Sequence, residues 1–198
     1  MAAEAAESRV TRSFYVGVDA EGERISALLE LLHALERGTS GCLHATLCCR
    51  GREQLDDITS RIHSHLPSLN GSCLPLHADL TDDELASVVL QHQEAGAAAP
   101  SGVHVLVCSD DALTAASQMN GPTPIGTSVL INCDVPNRKR FNARVTACGA
   151  PSGVAIITLA SATDSEALAS LQSAVAHHIE PMELDFLHDF HRLVFDSK

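Results

Sequence analysis

The sequence predicts one α/β domain, a three-layer sandwich with helices on both faces of a mostly parallel sheet. Short apolar runs alternate with helical periodicity along most of the chain. Apolar residues make up 45 % but aromatics only 3 %, with no Trp. A core without large rings is built from Val, Ile, Leu and Ala, which suits buried parallel strands. At 198 residues the chain is long enough to bury such a core without metal or disulfide staples.

"SFYVGV" (13–18) is the first strand, followed by Ile25, Leu28, Leu29, Leu32 and Leu35 at helical spacing up to Gly38, a suitable C′ residue. "CLHATLCC" (42–49) is the second strand, and 52–66 is a helix with Leu55, Ile58, Ile62 and Leu66 on one face. "GSCLPLH" (71–77) is a short third strand. Thr81-Asp82-Asp83-Glu84 is a capping box, in which the Thr hydroxyl and Glu carboxylate satisfy orphan N–H groups at a helix start. That helix carries Leu85, Val88 and Val89, and "EAGAAAPSG" (94–102) is expected to be a flexible loop. "VHVLV" (103–107), "SVLIN" (128–132) and "GVAIITL" (153–159) read as fully buried strands. The charged run between the last two, Arg138 to Arg144, is a basic helix. Thr163-Asp164-Ser165-Glu166 is expected to cap a further helix, and Glu183 to Phe195 has helical spacing of Leu, Phe and Val. Residues 1–11 are expected to form a disordered tail, leaving 12–198 as a single domain with a C-terminal helix.

A net charge of −12 argues against general nucleic-acid binding, because affinity for a phosphate backbone comes mainly from clustered cations releasing counterions. The seven Cys show no C-x-x-C, and most lie in or beside apolar runs. They are expected to be reduced, buried thiols of a cytoplasmic or nuclear protein. No stretch is apolar enough for a signal peptide or a membrane span, so no membrane association is expected.

Taken in order, these segments resemble the second RecA-like domain of a DEAD-box RNA helicase, in the branch of the cap-dependent translation-initiation helicase. "SFYVGVDAEGERISALLELLHAL" is similar to that family's opening strand and helix. "TLCCRGREQLDDITSRI" is similar to the region of motif IV, and "PLHADLTDDELASVV" to the H-G-D…Q-x-x-R segment. "VLVCSDDALTAASQM" is similar to V-L-V-x-T-D-x-x-A-R-G-x-D, and "VLINCDVPNRKRFNARVTACG" to V-I-N-Y-D-x-P…H-R-I-G-R-x-G-R. "HHIEPMELDF" resembles the closing I-E-x-M-P. The likeness spans roughly residues 12–190 and implies a RecA-like, P-loop NTPase-type fold.

The departures carry functional meaning. In the family, motif VI supplies arginines that stabilise charge on the nucleotide's phosphates. Only the first is matched here, by Arg144; the other two positions hold Ala147 and Ala150. Around motif V, Ser109-Asp110 stands for Thr-Asp, and Thr114-Ala115-Ala116-Ser117 for Arg-Gly-x-Asp. The Gln and Arg of Q-x-x-R fall on Asp82 and Leu85, and no G-x-x-x-x-G-K-[ST] phosphate loop occurs. The resemblance therefore implies a disarmed, non-enzymatic domain without cofactor, working as a monomer through a protein partner of RNA metabolism or translation. Helical-repeat scaffolds that hold true helicases are one class of such partner.

Alternatives stay open at this level. Arg50, Arg52, Arg138, Lys139 and Arg140 are candidate contacts for RNA or for an acidic partner, against the plainer reading of a solvated helix face with Arg144 structural. Half of a split ATPase is a further alternative, disfavoured by the two alanines. His63, His65, His77, His177, His178, His188 and His191 raise the question of metal, and His188 and His191 have a workable spacing. No Cys pair or acidic partner stands at a matching interval, so surface or satisfied histidines are expected. Cys108 is expected to be core, and Asp111 solvated beside a structurally held Asp110.

Overall fold

The computed structural model describes residues 12–38, 41–98, 101–119, 125–149, 154–175 and 178–183. The proposed tail, the C-terminal helix, Ala150, His177, His188 and His191 lie outside these residues. The strands are β1 (Arg12–Val18), β2 (Cys42–Cys49), β3 (Ser72–Leu76), β4 (Gly102–Ser109), β5 (Val129–Asn132), β6 (Ala155–Ser161) and β7 (Ile179–Met182). The helices are α1 (Arg24–Gly38), α2 (Arg52–Leu69), α3 (Asp82–Ala98), α4 (Asp110–Met119), α5 (Arg138–Cys148) and α6 (Ser165–Ala174). The seven strands form one sheet in the order β3-β4-β2-β5-β6-β1-β7, and every pairing is parallel.

That order follows from crossover handedness. The chain travels one way through β1, β2 and β3, then reverses and continues to β7. A parallel crossover is right-handed, so reversing the direction of travel moves the covering helix to the other face of the sheet. Accordingly α1 and α2 pack on one face, with Leu28, Leu32, Leu55 and Ile62 against Val103, Val105 and Ile157. The other face carries α3, α4, α5 and α6, through Leu85, Leu113, Phe141 and Leu171. Within β4, Val105 and Val107 face the first layer while Leu106 and Cys108 face the second, the period of two expected of a strand. Both edge strands contain a proline, Pro75 in β3 and Pro181 in β7, which blunts them against further pairing.

Two boundaries differ from the sequence reading, and two elements are additional to it. The expected loop over 94–102 is helical as far as Ala98. Its alanines are the strongest helix formers, and Gly96 is there for proximity: a Cβ at that position would lie 2.6 Å from Cys42 Sγ. The cap expected at Thr163 belongs to Ser161, which forms a capping box with Asp164 over one turn of 3-10 helix before α6. The sequence reading does not assign α4 or β7, because both run through segments matched as motifs rather than as periodic patterns. The Thr81–Glu84 box forms as expected: Thr81 N–H donates to Glu84 Oε2 at 2.8 Å, and Glu84 N–H to Thr81 Oγ1 at 3.4 Å.

Gly102, which opens β4, has φ +111°, and a Cβ there would lie 1.8 Å from Asn70 O in the loop before β3. Both the backbone angle and the close approach require glycine. Gly102→Ala is expected to lower stability by about 2–3 kcal/mol. Urea denaturation checks this; a midpoint equal to that of the wild type would refute the close approach.

Candidate functional site

In open parallel sheets, sites form beyond the carboxyl ends of strands where neighbouring connections leave on opposite faces. Here that place is β2, which leads to α2 on one face while its neighbours β4 and β5 lead to α4 and α5 on the other. A cleft of about 530 Å³ opens there. Its walls come from four of the segments singled out in the sequence: Arg50 and Arg52 after β2, His77 and Asp79 after β3, Ser109, Asp110 and Thr114 after β4, and Lys139, Arg140 and Arg144 on α5. Tertiary structure thus brings the separated candidates together. Ser117 and Arg138 are not part of the wall, and Ala147 is buried on the core face of α5.

The centre of the site is Arg144, 0 % exposed. Its Nε donates to Asp110 Oδ1 at 2.6 Å and its Nη2 to Asp110 Oδ2 at 3.0 Å, a bidentate pairing. Nη1 donates to Asn132 Oδ1 at 3.0 Å, and Nη2 also to Asp134 Oδ1 at 3.1 Å. Asn132 is itself held by donating Nδ2–H to Thr158 Oγ1 at 3.1 Å. Burial on its own would lower the guanidinium's pKa. The Asp110 hydrogen bond and the charges of Asp134 and Asp110 outweigh that and raise it above the ordinary arginine value. Arg144 is therefore a permanent cation with four of its five N–H groups donated to these partners. The α5 helix that carries it is capped by Asn137, which accepts Arg140 N–H at 3.0 Å, and ends on Gly149 in the left-handed region.

Three further cations of the cleft, Arg140, Arg50 and Arg52, also face carboxylates. Arg140 lies 3.6 Å from Asp110, and Arg50 3.5 Å from Asp134. Arg52 pairs with Asp56 at 2.8 Å and Asp79 at 2.7 Å. Arg138 and Lys139 are exposed on the first turn of α5, as a solvated helix face requires. Asp111 is exposed and Asp110 is held by Arg144, as expected.

Beside Arg50 the cleft continues into an open groove of about 830 Å³ that contains a residue the sequence analysis missed. Arg24, buried at the start of α1, donates to Cys133 O at 3.1 Å, to Ser161 Oγ at 3.0 Å and to Asp164. In the sequence it looks like any exposed arginine at a helix start; only its partners, more than a hundred residues away, reveal it. Burial tends to raise the Asp164 pKa, but the Ser161 hydroxyl and N–H, together with Arg24 and Arg50, bring it below its ordinary 3.8.

The thiols take no part in this chemistry. Cys48 and Cys108 meet Sγ to Sγ at 3.6 Å inside the sheet, and all seven cysteines are free. The hydrogen bond shared with Cys48, then burial, raises the Cys108 pKa, and burial pushes Cys73 up to about 12, so these groups stay protonated and unreactive. Among the described residues, no group of three or more His, Cys, Asp or Glu is arranged to hold a metal ion. No helix among them is long and apolar enough to cross a membrane.

Removing Arg144 leaves two carboxylates without their buried counter-charge, so Arg144→Ala is expected to cost about 3–5 kcal/mol. Combining Arg144→Met with Asp110→Asn and Asp134→Asn should recover much of that loss, since no uncompensated charge remains; paired urea titrations compare the two. The depressed Asp164 pKa has its own sign. Its stabilisation is present above the unfolded value of 3.8 and is lost as pH falls below it. Asp164→Asn is therefore expected to flatten the acid limb of the stability profile, read as denaturation midpoint against pH.

No family model and no curated protein matches the sequence. Solved structures do match. A chain of the E. coli DEAD-box protein SrmB structure, bound to regulator of ribonuclease activity A, superposes with a TM-score of 0.69 at 18 % identity, over 90 % of this chain and 94 % of that one. S. cerevisiae Dbp5 bound to RNA and ADP BeF3 gives a TM-score of 0.70 at 16 % identity, over 96 % of this chain and 46 % of that one. Domain 2 of the DEAD-box helicase Mss116p, bound to an RNA duplex, gives 0.63 at 15 %, over 88 % and 64 %. This chain thus spans less than half the Dbp5 chain and under two thirds of the Mss116p chain. Its architecture is the RecA-like α/β fold of DEAD-box helicase domains.

Proposed function

We propose that this chain is a non-catalytic helicase-like domain that acts by binding another protein, as a regulatory module in RNA metabolism or translation. The observation that carries this reading is the state of Arg144. The arginine at the first motif VI position is enclosed by Asp110, Asp134 and Asn132, which take four of its five N–H groups, and its side chain is buried away from any incoming phosphate. A phosphate entering the cleft would have to displace carboxylates that are already bound, and like-charge repulsion opposes it. Ala147, at the second motif position, is packed in the core, where an arginine would not fit without moving α5. The related fold in the SrmB structure is seen with a protein partner, which makes this use of the scaffold physically reasonable. Action as a monomer, in the cytoplasm, the nucleus or both, belongs to the same proposal.

One observation favours a second reading, ATP-independent RNA binding: Arg138 and Lys139 are exposed and outside every ion pair found among the described residues. Affinity from two such cations would be weak and steeply salt-dependent. Calorimetric titration with ATP and with single-stranded RNA at low salt, alongside affinity purification with mass spectrometry, separates the readings. The expected outcome is no saturable heat with either ligand and reproducible recovery of an RNA-metabolism protein. Saturable RNA binding abolished by Arg138→Ala with Lys139→Ala would favour the second reading. Nucleotide hydrolysis would overturn both.

A further inference from the structure

At the end of the sheet opposite the cleft, three imidazoles lie between α3 and the strands. His44 of β2 and His104 of β4 are register partners. His92 of α3 is wholly buried against them. The His44 and His92 rings meet edge to face, centroids 4.9 Å apart at 87°, and His44 and His104 are 5.7 Å apart. Neither ring nitrogen of His92 has a hydrogen-bond partner, nor has Nδ1 of His44, among the described residues. Around the rings, β2 supplies Cys42, whose Sγ is 3.3 Å from His44 Nε2, and β3 supplies the Ser72 hydroxyl, 2.9 Å from His104 Nδ1. The charges acting on His92 are those of His44 and His104, and no carboxylate is among those acting on His92 or His44.

We propose that this histidine cluster is an acid-responsive latch, in which neutral His92 fastens the C-terminal half of α3 to β2 and β4 and proton uptake releases it. Neutral imidazoles can be buried edge to face, because the positive edge of one ring meets the negative face of the other. Among the described residues an imidazolium at His92 has neither a counter-charge nor a hydrogen-bond acceptor, so burial opposes its formation and hydration is gained if the helix lifts. Burial, then the His44 and His104 charges, push His92 down to about 3 from an ordinary 6.5; burial and then His104 lower His44, against a hydrogen bond to the His92 backbone that tends to raise it. A folded pKa below the unfolded one means the latch holds above pH 6.5 and weakens steadily as pH falls toward 3. For one proton, the open form gains roughly 30-fold in population between pH 8 and pH 5. Release stays local, because the N-terminal half of α3 is held by Leu85, Val89 and the Thr81–Glu84 capping box. This inference is independent of the function proposed above.

Amide hydrogen exchange of the whole chain, corrected for intrinsic rates and followed from pH 8 to pH 5, tests it. Exchange in residues 90–98 is expected to accelerate by roughly 30-fold, while residues 82–89, α2 and α5 change little. In His92→Leu, which keeps an apolar side chain at the position, the acceleration is expected to disappear. Exchange that is independent of pH, or that accelerates equally in α2 and α5, would overturn the latch. Should His92→Leu not fold, the His92 ring resonances of the wild-type chain decide. A midpoint near 6.5 with α3 still protected overturns the proposal, and absence of titration in the closed form supports it.

Discussion

Everything at the carboxyl edge of the sheet is arranged around one buried guanidinium. Arg144 is supplied by α5, and its partners come from the start of α4, the end of β5 and the turn after β5. A charge with no exposed surface survives only when each of its N–H groups finds an acceptor in the right direction. That requirement sets the positions of Asp110, Asn132 and Asp134, and through them the places left for Arg140 and Arg50. Such an arrangement adds little net stability over a well-packed apolar alternative, but it constrains geometry strongly.

Arg24 plays the corresponding role on the other side of β5. It binds the carbonyl of Cys133, adjacent in the chain to the Asp134 that binds Arg144, and reaches Ser161 at the end of β6 and Asp164 in the turn after it. The two cages therefore share one turn and tie the ends of β4, β5 and β6 to the helices that follow. The functional consequence is electrostatic. An edge where Arg24, Arg50, Arg52, Arg140 and Arg144 are matched by carboxylates, leaving Arg138 and Lys139 outside the ion pairs found among the described residues, has limited positive potential to offer a polyphosphate or a nucleic acid. The same edge can still present a shaped surface to a protein.

Much of the fold is legible in the sequence because its determinants are local. The run "CLHATLCC" matches β2 residue for residue, the Thr81–Glu84 box starts α3, and the apolar "VHVLV" lies within β4. Where local signals mislead, a tertiary contact is the reason. The alanine-rich stretch after Glu94 stays helical because His92 and Gly96 are packed against β2. Asp164 serves the cap of the preceding 3-10 turn and also pairs with Arg24, which moves the helix start from the place its spacing suggests.

The candidate site divides along the same line. By itself the sequence determined that the fold is α/β, that Arg144 closes a basic run, and that uncharged Ala147 follows it; the place of Arg144 at motif VI is what the family resemblance implies. Side-chain type and spacing suffice for the first three statements, since each depends on residues close in the chain. Only the tertiary structure decided what Arg144 does, because Asp110 lies 34 positions away and its approach depends on the crossover through α4 and β5. It likewise decided that Arg24 is buried and that His44, His92 and His104 meet beneath α3. Burial and pairing of charge belong to the assembled sheet, and no stretch of sequence contains both halves of such a pair.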